Sequence, residues 1–325
     1  MQALVLIGGF GTRLRPVTYQ VPKQLIPIAG KPMLYHVLDL LPSEVDNAVL
    51  ATGYKADAIE AYVRRVPPRI RVRTVPETDP LGTGGGMRNA GGEVSDPFLL
   101  LNSDVISGID VEAVVRSHRQ RGGIGTMVLT EVKDPSPYGV AELDAQDRIR
   151  RFLEKPKPEE TPSRWINAGI GVWNRGVLDQ IPRGRPVSFE TEILPGLLSR
   201  GVFGFRSRGF WEDAGTPQRL LHAQQLLFDA GRATSRDVPP VAFGSGPVAM
   251  GAGAEVAGAR FGRYVTVDDG VRVGPEAYLE NAVVMAGARI GAGARVVDSL
   301  IGPDVDVAPG AVVTGQVLAT AAGPT

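Results

Sequence analysis

Short apolar runs and amphipathic stretches alternate over about the first two-thirds of the chain. Gln2 to Ile7 (QALVLI) is apolar, of strand length, and closed at once by Gly8-Gly9; it reads as a buried strand. Ala48 to Ala51 reads as a second strand, and Lys55 to Arg65 carries its apolar residues at helical spacing. Ile70 to Val75 (IRVRTV) alternates, as a half-exposed strand does. Thr83 to Gly92 opens a helix, and Pro97 to Leu101 is a continuous apolar strand. This alternation predicts βαβ units and a mostly parallel sheet, an α/β fold. Functional residues are then expected at the C-terminal ends of the strands.

Further along the pattern is richer in strands. Gly139 to Leu143, Ile149 to Leu153 and Ile166 to Trp173 read as antiparallel pieces laid against the sheet, and Leu220 to Ala230 as a closing helix. Arg232 to Pro240 (RATSRDVPP) is polar and ends on prolines, as a linker does. After it the period changes. Aliphatic or similar residues recur every six, at Phe261, Val267, Val273 and Leu279, then slip by one. They resume at Val284, Ile290 and Val296, slip again, and resume at Ile301, Val307 and Val313. A six-residue period with small residues between marks a parallel β-helix. About three coils of three faces are expected, a short prism suited to oligomer formation. The predicted boundaries are 1–231 for the first domain, 232–243 for the linker and 244–325 for the prism.

Composition narrows the chemistry. Lys plus Arg number 35 and Asp plus Glu 35, so there is no basic surplus for nucleic acid or an anionic membrane. There are no cysteines and three histidines, which removes thiolate chemistry and leaves little for a histidine metal site. The start MQALVLIGGFGTRL lacks the pattern of a signal peptide, and no apolar run reaches the roughly 18 residues of a membrane span. A cytoplasmic enzyme is the expectation.

The strongest local signal is Gly8-Gly9-Phe10-Gly11-Thr12-Arg13-Leu14. Glycines let the backbone turn tightly and bring N–H groups to an anion. Arg13 adds a charged fork suited to phosphate oxygens. Leu14 stands where a dinucleotide fingerprint has its third glycine, and no Gly-Lys-Ser/Thr follows as a P-loop requires. Ten residues on, Pro22 precedes Lys23, a mobile point charge suited to a triphosphate.

Gly9-x-Gly11-x-Arg13 followed by Pro22-Lys23 resembles the signature of the sugar-1-phosphate nucleotidylyltransferases. Leu81-Gly82-Thr83, Asn102-Ser103-Asp104, Tyr138-Gly139-Val140, Phe152 to Pro156, Asn167-Ala168-Gly169 and Trp211 to Pro217 follow in the family's order. The resemblance covers nearly the whole chain. It implies a Rossmann-like catalytic domain followed by a left-handed parallel β-helix of hexapeptide repeats. It also implies that Leu6, Gly8, Gly9, Gly11, Thr12, Leu81, Gly82 and Thr83 bind the nucleotide. Gly139, Glu154, Asn167 and Glu190 then bind the sugar phosphate. Arg13, Lys23 and Lys155 act on the reacting phosphates, and Asp104 and Asp213 hold Mg²⁺.

Glu77 bears on the choice of base. Guanine presents two adjacent donors that one carboxylate can accept, whereas uracil and thymine suit an amide better; uridylyl members resemble one another in having Gln there. Asn102 to Ile106 and Arg185 to Glu190 resemble guanylyl forms, and Lys23-Gln24-Leu25 resembles thymidylyl forms. The implied reaction joins GTP to mannose 1-phosphate and releases pyrophosphate. Three alternatives stand beside it: dTTP or UTP with glucose 1-phosphate, GTP with a heptose 1-phosphate, and a catalytically silent subunit that senses nucleotide sugars. The prism has no histidine to serve as the base of an acyltransferase, so a structural or regulatory role is expected for it.

Overall fold

The computed structural model describes residues 1–235, 246–256 and 258–320. The linker expected at 232–243 therefore lies largely outside the described residues. The chain forms two compact units, Met1–Gly9 with Val37–Trp211, and Phe10–His36 with Glu212–Thr325.

The first unit is built on a nine-stranded mixed sheet. Gln2–Ile7 pairs in parallel with Asn47–Thr52 on one side and Phe98–Asn102 on the other, and Arg71–Pro76 extends the sheet beyond Asn47–Thr52. Strands buried on both faces carry unbroken apolar runs, and Leu4, Val5, Leu99 and Leu101 are fully buried. Arg71–Pro76 lies at the edge and alternates, as its sequence indicates. The antiparallel pieces also form as expected. Trp165–Trp173 pairs with Phe98–Asn102, and Gly139–Leu143 pairs with Ile149–Glu154. Gly125–Glu131, Val202–Arg206 and the helix Val111–Arg121 complete this unit without having stood out in the sequence.

Gly82–Ala90 is helical although it carries four glycines. Glycine in a helix interior costs up to about 1 kcal/mol against alanine, so packing must call for it. A Cβ on Gly84 would lie 3.0 Å from Val187 Cγ1, and one on Gly86 would meet Glu77 Oε1 at 2.5 Å. The glycines let the Val187 and Glu77 side chains lie against the helix backbone.

The second unit holds the prism. Its strands form three parallel sheets of five, four and three strands. The coils begin at Val248–Met250, earlier than the sequence period shows. All ten hexad residues from Phe261 to Val313 are buried. Val267 pairs with Val284, Val284 with Ile301 and Ile301 with Leu318, a step of 17 residues each time. The slips in the six-residue period are therefore regular: each coil is one residue short of three hexads. The short corners fall at Asn281 and Asp298, which hold φ of 44° and 49°, a conformation Asn and Asp tolerate better than most residues. Among the described residues no helix is long and apolar enough to cross a membrane.

Candidate active site

Within the first unit the parallel strands end together, as register demands. Gly8 and Gly9 follow Ile7, Glu77 follows Pro76, and Asp104 lies two residues beyond Asn102. Two backbone bonds splice these ends: Ser103 N–H donates to Leu6 O at 3.1 Å, and Glu77 N–H to Thr52 O at 2.7 Å.

Glu77 and the start of the Gly82–Ala90 helix form the candidate base loop. Leu81 N–H donates to Glu77 Oε2 at 3.3 Å, while Oε1 lies against Gly86. Burial pushes the Glu77 carboxyl above its ordinary range, and the Leu81 N–H partly offsets this. Gly82 holds φ of 71°, and a Cβ there would meet Val187 O at 2.7 Å. Leu81 O accepts from Val187 N–H at 2.8 Å. The loop is thus tied to the segment that carries Glu190.

Glu190 sits in a π-helical turn, Phe189–Ile193. Such turns recur at functional sites. Phe189 anchors this one, packing edge-to-face on Trp173 with centroids 4.9 Å apart, worth about 0.5–1.5 kcal/mol beyond burial. Glu190 Oε2 accepts from the Thr83 hydroxyl at 2.5 Å, and Thr83 Oγ1 in turn accepts from Phe189 N–H at 2.9 Å. Leu6, Thr83, Asn102, Asn167, Gly169 and Glu190 line one narrow cavity of about 20 Å³.

Asn167 lies where Trp165–Trp173 slips register against Gly125–Glu131, and bulges of this kind re-aim side chains near active sites. Its Oδ1 accepts from Gly169 N–H at 3.0 Å. Gly169 holds φ of 71°, and a Cβ there would meet Asn102 Nδ2 at 2.7 Å. Trp211 closes this corner, donating from Nε1 to Ala168 O at 3.0 Å. Gly139 opens its strand beside Glu154: a Cβ on it would meet Glu154 Oε2 at 2.7 Å. Burial first, and then the Glu190 charge, raise the Glu154 carboxyl, with Lys155 opposing. Lys155 Nζ is 3.9 Å from Glu154 Oε1. Its φ of 49° is uncommon for a residue with a Cβ and is held by Lys155 N–H donating to Tyr138 O at 2.9 Å.

In the second unit Gly11 holds φ of 61°, and the Thr18 hydroxyl donates to its carbonyl at 2.8 Å. Thr12 and Arg13 belong to the short helical turn that follows. Lys23 starts another turn after Pro22, is largely buried, and lies beside Gly11. Arg13 packs over Gly215, where an added Cβ would run into its guanidinium and come 3.0 Å from Asp213 Oδ1. Arg219 Nη1 lies 3.5 Å from Asp213 Oδ2. Arg219 carried no signal in the sequence. Gly215 lay inside a motif, but its closeness to Arg13 did not.

A family model described as nucleotidyl transferase matches residues 2–229. A mannose-1-phosphate guanylyltransferase of Mycobacterium tuberculosis is 37% identical over 300 residues, covering 90% of this chain and 82% of that protein. Mannose-1-phosphate guanylyltransferase 1 of Arabidopsis thaliana is 35% identical over 323 residues, covering 93% of this chain and 86% of its own length. Among solved structures, HddC from Yersinia pseudotuberculosis, crystallised in complex with GMP-PN, aligns with a TM-score of 0.59 at 27% identity, over 69% of this chain and 98% of that one. The family model spans more than half of the chain, and relatives at 35–37% identity cover most of it; the chain belongs to the nucleotidyl transferase family.

Proposed function

We propose that this protein transfers a guanylyl group from GTP to mannose 1-phosphate, forming GDP-mannose and releasing pyrophosphate. The observation that carries the choice of base is Glu77, a carboxylate at a strand end beside the Leu81-Gly82 backbone. It can accept from both guanine donors, which an amide cannot do. The similarity to relatives named mannose-1-phosphate guanylyltransferase supports the same reading. The thymidylyl-like Lys23-Gln24-Leu25 points the other way, and its Gln24 is buried, 2% exposed.

In the proposed reaction an oxygen of the sugar phosphate attacks the α-phosphorus of GTP in line, the α–β bridging bond breaks, and pyrophosphate departs with its electron pair. The nucleophile is already ionised at neutral pH, so no general base is required. Catalysis then rests on positioning and charge. Arg13 and Lys23 neutralise the triphosphate, and Lys155 aims the sugar phosphate. Glu154, Glu190, Asn167 and the backbone at Gly139 hold the sugar. Leu6, Gly8, Gly9, Gly11, Thr12, Leu81, Gly82 and Thr83 seat the nucleotide.

Members of this family generally use a divalent metal, and Mg²⁺ is proposed here. Among the described residues no cluster of three or more His, Cys, Asp or Glu side chains is placed to hold a metal. Asp104 and Asp213 offer hard oxygen donors, which fit an ion that takes its remaining ligands from water and substrate phosphates. When bound, it would neutralise phosphate charge. The boundaries 1–231, 232–243 and 244–325, a cytoplasmic location and self-association through the prism belong to the same proposal.

Pyrophosphate release with Mg²⁺ tests the activity. GTP, UTP, dTTP, ATP and CTP would each be crossed with mannose 1-phosphate and glucose 1-phosphate. Turnover highest with GTP and mannose 1-phosphate is the expected result. A maximum with dTTP or UTP and glucose 1-phosphate would overturn the substrate assignment. Tight GDP-mannose binding with no release from any pair would favour the sensing subunit.

A further inference from the structure

A second and larger cavity, about 440 Å³, lies within the first unit. Gly85, Arg88 and Asn89 reach it from the Gly82–Ala90 helix. At 100° per residue these positions face away from Thr83 and Met87, which line the cavity at Glu190. The two cavities therefore flank the same helix on opposite sides. This volume lies within the ordinary range for small-molecule sites.

The lining is unusually basic for a chain of zero net charge. Four arginines line the cavity (Arg88, Arg175, Arg183 and Arg185), and the one carboxylate among the lining residues is Asp179. Arg88 Nη1 pairs with Asp179 at 3.2 Å, and Arg185 Nη2 pairs with Glu192 at 2.8 Å. That leaves two cations. Arg175 Nη2 has a single long hydrogen bond, to Gly92 O at 3.4 Å. Neither Arg175 nor Arg183 forms an ion pair among the described residues. Leu81, Leu178 and Pro182 supply an apolar floor.

We infer that this cavity is a second ligand site, which binds a small phosphorylated metabolite by its phosphoryl group. Guanidinium forks match phosphate oxygens, and charge-assisted bonds of this kind are about twice as strong as neutral ones. Two uncompensated guanidiniums suit a dianion better than a single carboxylate. The volume exceeds what a lone phosphate needs, and the apolar floor accommodates the neutral body of a sugar phosphate. The site adjoins the base loop directly. The segment bearing Arg183 and Arg185 runs into Val187, whose N–H donates to Leu81 O and whose carbonyl accepts from Gly84 N–H at 2.9 Å. This goes beyond the proposed reaction, and its test needs neither GTP nor metal.

The test is calorimetric titration of the full-length protein, without nucleotide or metal, using inorganic phosphate, glucose 6-phosphate and acetate as probes. Arg183→Glu changes an exposed loop residue, and Arg175→Ala/Arg183→Ala removes the uncompensated pair; both should stay folded. Arg13→Ala serves as the active-site control. Saturable binding of phosphate and glucose 6-phosphate is expected in the wild type and in Arg13→Ala, weakened tenfold or more in the two cavity variants, with acetate failing to compete. Binding unchanged in Arg183→Glu, or lost in Arg13→Ala, would overturn the proposal. So would phosphate binding with no binding of glucose 6-phosphate, or equal competition by acetate.

Discussion

Thr83 and Glu190 are 107 residues apart in sequence and meet at 2.5 Å, the Thr83 hydroxyl donating to Glu190 Oε2. Thr83 opens the helix that follows the base loop, and Glu190 lies on the proposed sugar side. One hydroxyl therefore joins the two halves of the proposed substrate site. The Phe189 N–H holds that hydroxyl in turn, and the Ser188 hydroxyl makes a longer bond to the same Glu190 Oε2 at 3.4 Å.

Removing this hydroxyl should misplace Glu190. Thr83→Val should lower kcat/KM for mannose 1-phosphate by about 10- to 100-fold, the range for a lost hydrogen bond to a charged group. Thr83→Ser should retain most activity. Steady-state kinetics on the two variants would check this, and a Thr83→Val enzyme with wild-type kinetics would dissociate the bond from sugar placement.

Base selection should follow Glu77. Glu77→Gln should reduce kcat/KM for GTP by at least about tenfold, because an amide cannot accept from both guanine donors. UTP and dTTP should lose far less. A GTP preference unchanged in this variant would remove Glu77 as the base reader.

Gly215 offers a way to move Arg13 without mutating it. A methyl at residue 215 would occupy the space of the guanidinium, the far end of a flexible side chain, so it should displace Arg13 at little cost to the fold. Gly215→Ala and Arg13→Ala should each lower kcat by about 100-fold, the size of a lost oxyanion stabiliser, with melting temperatures near that of the wild type. Normal turnover in Arg13→Ala would exclude it from the mechanism.

Metal dependence should trace to the two aspartates. EDTA should abolish turnover and added Mg²⁺ restore it. Asp104→Ala should lower turnover by about 100-fold or more at saturating Mg²⁺ while the circular dichroism stays unchanged. Full activity of that variant at saturating Mg²⁺ would eliminate Asp104 as a ligand.

Stability on the acid side should depend on His36. Burial, then the nearby Lys31, lower its pKa from 6.5 to about 3, and its Nε2 lies 2.8 Å from Ile28 O. The unfolded chain binds a proton that the folded chain refuses. This contribution to stability is therefore complete above pH 6.5 and is lost progressively as pH falls toward 3. Between pH 7 and 5 the loss should be about 2 kcal/mol. His118 is also lowered by burial, so His36→Gln should flatten the acid limb only in part. Urea midpoints at pH 7 and 5 for wild type and variant would measure it, and an identical acid limb in both would refute the assignment.

The parallel strands, the prism and the order of the phosphate-loop, lysine and aspartate motifs were all legible along the chain. Each of these is a local signal. A strand buried on both faces must be apolar throughout, a coil must return an aliphatic residue to the same wall, and a tight turn near an anion must use glycine. Even the slips in the hexad period were visible, although only the pairing of Val267, Val284, Ile301 and Leu318 explained them as a 17-residue coil. The tertiary structure alone decided which distant side chains meet. No local rule links Thr83 to Glu190, Gly215 to Arg13, or Arg88 to Arg175 and Arg183. The hydrophobic pattern records which face of an element is buried; it carries no record of which side chain from a remote loop will stand opposite, because that depends on how whole elements pack.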